Sequence, residues 1–231
     1  MDPLTHIVVS RAIVAVADPG DADEPARRGV AWAAILGALS PDVDAAVAPS
    51  GWDHYLTVHE IGTHSLIGAF AMACLTAIVV KSAARMRGAQ LGLKPLLAAA
   101  TAGAMSHVVL DVVSGARIRV AWPIVSPVVT LPLVAMADPW LIGICLIGLL
   151  ALWPGRQRLR VVSRGVIAAA TVLLVMKGAL LARALSASNF NEVPLTAVEA
   201  QWGSLTGWRV YGDGRPSYAR GASGRTSRRA S

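Results

Sequence analysis

The sequence predicts an all-α, polytopic helical membrane protein, and three observations carry that prediction. Of 231 residues, 55% are hydrophobic and only 15% charged, against about 25% charge in an average soluble domain. Four apolar runs approach the roughly 20 residues a helix needs to cross the hydrocarbon core of a bilayer. The basic residues gather mainly in the connectors between those runs and in the C-terminal tail. An ordinary soluble enzyme is excluded, and the formal charge of +7 becomes a question of topology rather than a nucleic-acid footprint.

Residues 4–17, interrupted by Arg11, and residues 29–41 are short and predict a helical pair, half-inserted or packed against the others. Residues 61–80 end at Lys81, and residues 95–113 begin at Pro95, whose fixed φ suits a first helical turn. Residues 139–153 run from Asp138-Pro139 to Pro154, and residues 165–182 lie between Arg164 and Arg183, with Lys177 near one end. These four runs are expected to span. Residues 117–139 hold Pro123, Pro127, Pro132 and Pro139 and cannot form one regular helix. That stretch is expected to be buried in protein or to lie at the interface, with Trp122 and Trp140 at headgroup level.

The membrane domain is therefore expected over residues 1–183, followed by a short polar extension over 184–211. Residues 212–231 carry five Arg against one Asp and predict a disordered basic tail. Cys74 and Cys145 sit inside apolar runs and read as small packing residues. Met1-Asp2-Pro3 lacks a basic n-region, so no removable signal peptide is expected.

Lys and Arg concentrate in cytoplasmic loops. Arg27 and Arg28, then Lys81, Arg85, Arg87 and Lys94, then Arg156, Arg158, Arg160 and Arg164 occupy three connectors and account for ten of the 21 basic residues. Assigning all three to the cytoplasm puts the other ends of the segments on the outer face.

Ionisable groups within or beside membrane segments are costly and by default mark function. His107 and Asp111 are four apart and share a helix face. Asp42 and Asp44 follow Pro41, where they either cap a turn or supply hard oxygen ligands. His59 and His64 are five apart, so His59 falls on the loop or first turn leading into a helix that bears His64. His6 alone reads as structural. With the loop-charge orientation, however, His6, Asp42, Asp44, His59, His64, His107, Asp111 and Asp138 all fall at outer ends. Such a mixed set suits zinc, manganese or iron, with two or three cations polarising a phosphoryl or acyl oxygen and activating water.

These residues resemble the LexA-regulated, YdjM-type family of membrane-bound metal-dependent hydrolases. Its hallmarks are a Thr-His or Gly-His near the N-terminus, Pro-Asp-x-Asp, His-Arg-Gly-x-Thr-His-Ser, Ser-His-x-x-x-Asp and Leu-x-Trp-Pro. This chain shows Thr5-His6, Pro41-Asp42-Val43-Asp44, His59-Glu60-Ile61-Gly62-Thr63-His64-Ser65, Ser106-His107-Val108-Val109-Leu110-Asp111 and Ala121-Trp122-Pro123. Asp138-Pro139-Trp140 resembles an element of longer members. The match runs in order from about residue 2 to 142.

The resemblance implies a multi-pass protein of the bacterial cytoplasmic (inner) membrane whose helical core resembles zinc-dependent phospholipase C. By position it assigns His6, Asp42, His59, His64, His107 and Asp111 as metal ligands and Asp44 as the second carboxylate. Glu60 stands where the family has Arg, which makes it a candidate base or a support for a ligand; His54 has no family counterpart. The expected activity is hydrolysis of a phosphoester or other ester of a lipid-like substrate by metal-activated water, with Zn ahead of Mn or Fe. Asp42, Asp44 and Glu60 are the catalytic candidates, and Arg117 or Arg119 would meet a substrate phosphate as guanidinium forks do. Membrane lipids are the expected partners and nucleic acid is not. The rival reading is a non-catalytic membrane protein that binds or transports the metal.

Overall fold

A computed structural model describes residues 1–18, 23–51, 53, 62–152, 158–187, 195–212, 215–220 and 226–227. Its helices are α1 (Pro3–Ala17), α2 (Glu24–Leu39), a 3-10 helix (Pro41–Ser50), α3 (Leu66–Met86), α4 (Leu93–Val113), α5 (Pro139–Leu152) and α6 (Leu159–Ala187). The chain is mostly helical, as its composition predicts.

Local chemistry sets the helix starts. Asp2 accepts a hydrogen bond from the Thr5 N–H and Asp23 from the Ala26 N–H, each with Pro in the first turn, so side chains satisfy backbone donors that a helix start leaves open. Ser65 caps α3 by accepting from Gly68. The apolar run expected from residue 61 therefore becomes helical only at Leu66, and His64 sits on the turn before α3 rather than on the helix.

Among the described residues, α3, α4 and α6 are long and apolar enough to cross a membrane; α2 and the 3-10 helix, bent by 46° at their junction, form a further candidate if taken together. The run expected to span over 139–153 is not among these candidates, and residue 153 lies outside the described residues. The described part of helix α5 has 14 residues, about 21 Å at 1.5 Å per residue, against the roughly 30 Å hydrocarbon core.

Small residues decide how closely α2 and α4 approach. A Cβ at Gly37 would lie 2.4 Å from the Ala100 carbonyl oxygen, and one at Gly103 would lie 2.1 Å from that of Ala34. Only glycine permits this contact, and Ala33, Ala34, Ala38, Ala100 and Ala104 are fully buried around it. In a bilayer such surfaces associate through close packing rather than a hydrophobic drive.

The cluster-bearing end is marked by Asp111, which meets His6 of α1, and by Asp138, which pairs with Lys177 of α6. The opposite end is marked by the contact of Arg160 with the Asp18 carbonyl and by Leu91 against Gly29. The described basic connectors therefore lie at the end away from the cluster.

Beyond α6 the structure departs from the sequence reading. Where a polar extension and a disordered tail were expected, strands β1 (Leu195–Ala200), β2 (Gly207–Gly212), β3 (Arg215–Arg220) and β4 (Thr226–Ser227) form an antiparallel sheet in sequence order. Buried Trp208 and Val210 pack with Leu133, Val134 and Leu181. The Trp208 indole donates to the Pro132 carbonyl at 2.9 Å, Trp202 to that of Ala137 at 2.8 Å, and Trp140 to that of Gly203 at 3.1 Å. The indoles thus bind the β1–β2 hairpin to the irregular segment before α5 and to the first turn of α5, supplying donors to carbonyls that no regular helix pairs.

Candidate metal centre

His107 is presented by α4, and its environment follows from the α2–α4 approach. The Ala38 carbonyl belongs to the last turn of α2, where no intrahelical donor remains. It accepts from His107 Nδ1 at 2.6 Å. With the proton on Nδ1, Nε2 carries a lone pair directed into the site.

His64 is set up in the same way. The Thr63 hydroxyl donates to Asp44 Oδ2 at 2.8 Å and lies 3.1 Å from His64 Nδ1. A hydroxyl that gives its proton to the carboxylate accepts from Nδ1–H, so His64 likewise turns Nε2 toward the site. Such outer partners fix the tautomer and ring orientation of metal-binding imidazoles.

The two Nε2 atoms stand 3.1 Å apart. Asp42 Oδ1 lies 3.4 Å from each of them, and Asp111 Oδ2 lies 3.5 Å from His64 Nε2 and 3.0 Å from His107 Nε2. The ligand atoms of all four residues fall within 4.8 Å of one another. A tetrahedral cation with N and O ligands at about 2.0–2.1 Å holds them about 3.3–3.4 Å apart. These five of the six separations run from 3.0 to 3.5 Å, close to the edges of such a site.

His64, His107 and Asp111 are almost wholly buried, whereas the Asp42 side chain is 34% exposed, which leaves one accessible edge. Burial by itself disfavours the His64 imidazolium, yet Asp111, Asp42 and Asp44 outweigh it and raise its pKa to about 11. The carboxylates favour positive charge at this point, as proton or as metal.

The other expected residues divide. Asp44 is buried and lies 3.4 Å from His64 Nδ1, on the outer side of the ring, so it orients His64 and is not one of the four ligands. His6 stacks on His107 with centroids 4.0 Å apart and places Nε2 3.3 Å from Asp111 Oδ1. Among the described residues, neither of its buried ring nitrogens has a hydrogen-bond partner. The amino group of Met1 also meets Asp111 Oδ1, leaving Oδ2 for the cage.

Asp138 is not part of the cluster. It caps α5 by accepting from Trp140 and Leu141 and takes a 2.9 Å bond from Lys177 Nζ, so its charge is already neutralised. Arg117 and Arg119 are exposed, outside the cage. His59, Glu60 and His54 lie outside the described residues. The sequence reading did not identify Lys177 as the partner of Asp138, although a lysine inside the apolar run 165–182 was a signal. Thr63 and the Ala38 carbonyl left no sequence signal apart from the family motif around Thr63.

No curated protein and no solved structure matches the chain. The family described as YdjM inner membrane protein matches residues 1–185, a stretch that carries all four cage residues and the helices that position them. The chain therefore belongs to the YdjM inner membrane protein family.

Proposed function

We propose that this protein is a membrane-embedded metal-dependent hydrolase acting on a phosphoester or other ester of a lipid-like substrate. The observation that supports it is the four-residue cage, two imidazole nitrogens and two carboxylate oxygens within 4.8 Å of one another with one exposed edge. His64, His107, Asp42 and Asp111 would hold a divalent cation, zinc by donor type, with manganese or iron as alternatives. A second or third ion would draw on His6 and His59. When bound, the cation supplies Lewis acidity that polarises a phosphoryl or acyl oxygen and lowers the pKa of water.

The chain's own residues do the positioning. Ala38 and the Thr63–Asp44 pair orient the two imidazoles, the His6 ring backs His107, and the exposed side of Asp42 leaves the approach for substrate. The basic connectors at the opposite end support a cytoplasmic location for that end and an outer-face location for the centre, where a lipid headgroup can reach it.

One observation favours the non-catalytic reading. Four protein ligands complete a tetrahedral shell, as in structural zinc sites, whereas catalytic sites commonly use three. Purified protein with its metal, assayed on a panel of phosphoesters that includes phospholipids, separates the two. Hydrolysis abolished by Asp42→Asn supports the enzyme. Absence of hydrolysis, with metal uptake into proteoliposomes or a large loss of thermal stability on chelation, supports the rival.

A further inference from the structure

The described basic connectors cluster at the end away from the metal centre, and Arg117 and Arg119 stand at the other end. Between them Ile118 is fully buried and pairs with Val129 through two backbone bonds, at 3.1 and 2.8 Å. On extended backbone alternate side chains share a face, so both guanidiniums leave the hairpin on one side, from Cα atoms about 6.6 Å apart. The arm that this bridge closes exposes Trp122, Val125, Val128 and, to 78%, Ile124. An exposed apolar run of this kind marks an interaction surface, and Trp beside Arg is the composition of a membrane–water interface.

The arm is fastened to the metal centre. The Val120 carbonyl accepts from Leu66 N–H at 2.9 Å, directly after the turn that carries His64. The Trp122 indole lies over Gly62 of that turn, 3.7 Å from where a side chain would begin. On the return path Leu131 N–H donates to Val112 and Leu133 N–H to Val113, the two residues after Asp111.

We propose that the 116–131 hairpin is a docking surface for anionic phospholipid: the apolar arm enters the headgroup boundary, and Arg117 and Arg119 hold the lipid phosphate beside the metal centre. The charge complementarity of two guanidiniums on one face with a phosphate carries the assignment. This names the substrate class of the hydrolase proposed above and rests on that reading only for turnover, not for binding.

The test uses the full chain in bilayers of phosphatidylglycerol and phosphatidylcholine in which one or the other carries bromine on its acyl chains. Emission from Trp122 is isolated by difference from Trp122→Phe. The expected result is stronger quenching of Trp122 by brominated phosphatidylglycerol than by brominated phosphatidylcholine at equal mole fraction. Each arginine near an anionic headgroup enriches that lipid roughly fivefold, and Arg117→Gln/Arg119→Gln should erase the difference. Equal quenching by the two lipids, no quenching by either, or a preference that survives the double substitution would each overturn the proposal. Selective quenching without turnover of any phosphoester counts against the hydrolase reading alone; turnover with equal quenching counts against the docking surface alone.

Discussion

Asp111 and Asp138 are buried carboxylates at the same end of one helical bundle, and each meets an ammonium, that of Met1 at Asp111 Oδ1 and that of Lys177 at Asp138 Oδ2; what surrounds the other oxygen differs. Asp138 is complete: two backbone N–H groups and the Lys177 ammonium take its oxygens, and Lys177 in turn reaches the Ser204 carbonyl at 3.1 Å. Asp111 Oδ2 faces two imidazole nitrogens whose partner atoms, Nδ1, are already engaged by Ala38 and Thr63. One site is a closed ion pair, and the other is a set of acceptors arranged around a position for positive charge. Neither burial of an acid nor its pairing with one ammonium therefore identifies a metal site; the convergence of further ligand atoms on its second oxygen does, as His64 and His107 converge on Asp111 Oδ2.

The largest effect that would sharpen this contrast is expected at the closed pair. Lys177→Met should destabilise the fold by about 3–5 kcal/mol, because it leaves Asp138 buried and uncompensated. Adding Asp138→Asn should recover most of the loss, since Asn keeps the helix cap without the charge. Thermal unfolding in detergent checks both, and a single variant as stable as the parent would break the comparison. Neither change should alter metal content.

A smaller effect is expected on the open side. Thr63→Val removes the hydroxyl between Asp44 and His64 and should weaken metal affinity about 10–100-fold, the usual range for groups that orient ligands. Competition with a chelator of known affinity measures it. The smallest concerns the turn itself: Ser65→Ala should cost about 1 kcal/mol through loss of the α3 cap, read as a shift in the unfolding midpoint, with metal affinity changed less than by Thr63→Val.

The same contrast explains what could be read from the sequence. Helices α3, α4 and α6 were legible because a bilayer imposes length and apolarity on any helix that crosses it. The cage was legible because ionisable side chains are rare in such runs, and His107 and Asp111 announce themselves by helical spacing. Asp138 looked equivalent because its neutralising lysine is 39 residues away, and no local pattern reports so distant a pairing. The division of labour between Asp42, which faces the cage, and Asp44, which braces His64, depends on the turn after residue 62 and was not encoded in the Pro-Asp-Val-Asp spacing. The sheet beyond residue 194 was obscured by charge: its polar composition resembles that of a disordered tail, while its anchoring rests on a few indole hydrogen bonds that only the folded chain brings together.

The central claim, that Asp42, His64, His107 and Asp111 form a cage for a divalent cation while Asp138 does not contribute, is tested most directly by elemental analysis of detergent-purified protein. The account predicts stoichiometric metal in the parent and in Asp138→Asn, with near-complete loss in His107→Ala and in Asp111→Ala at preserved helical content. Metal retained in both ligand variants, or absent from the folded parent after growth and purification with added zinc, would contradict it.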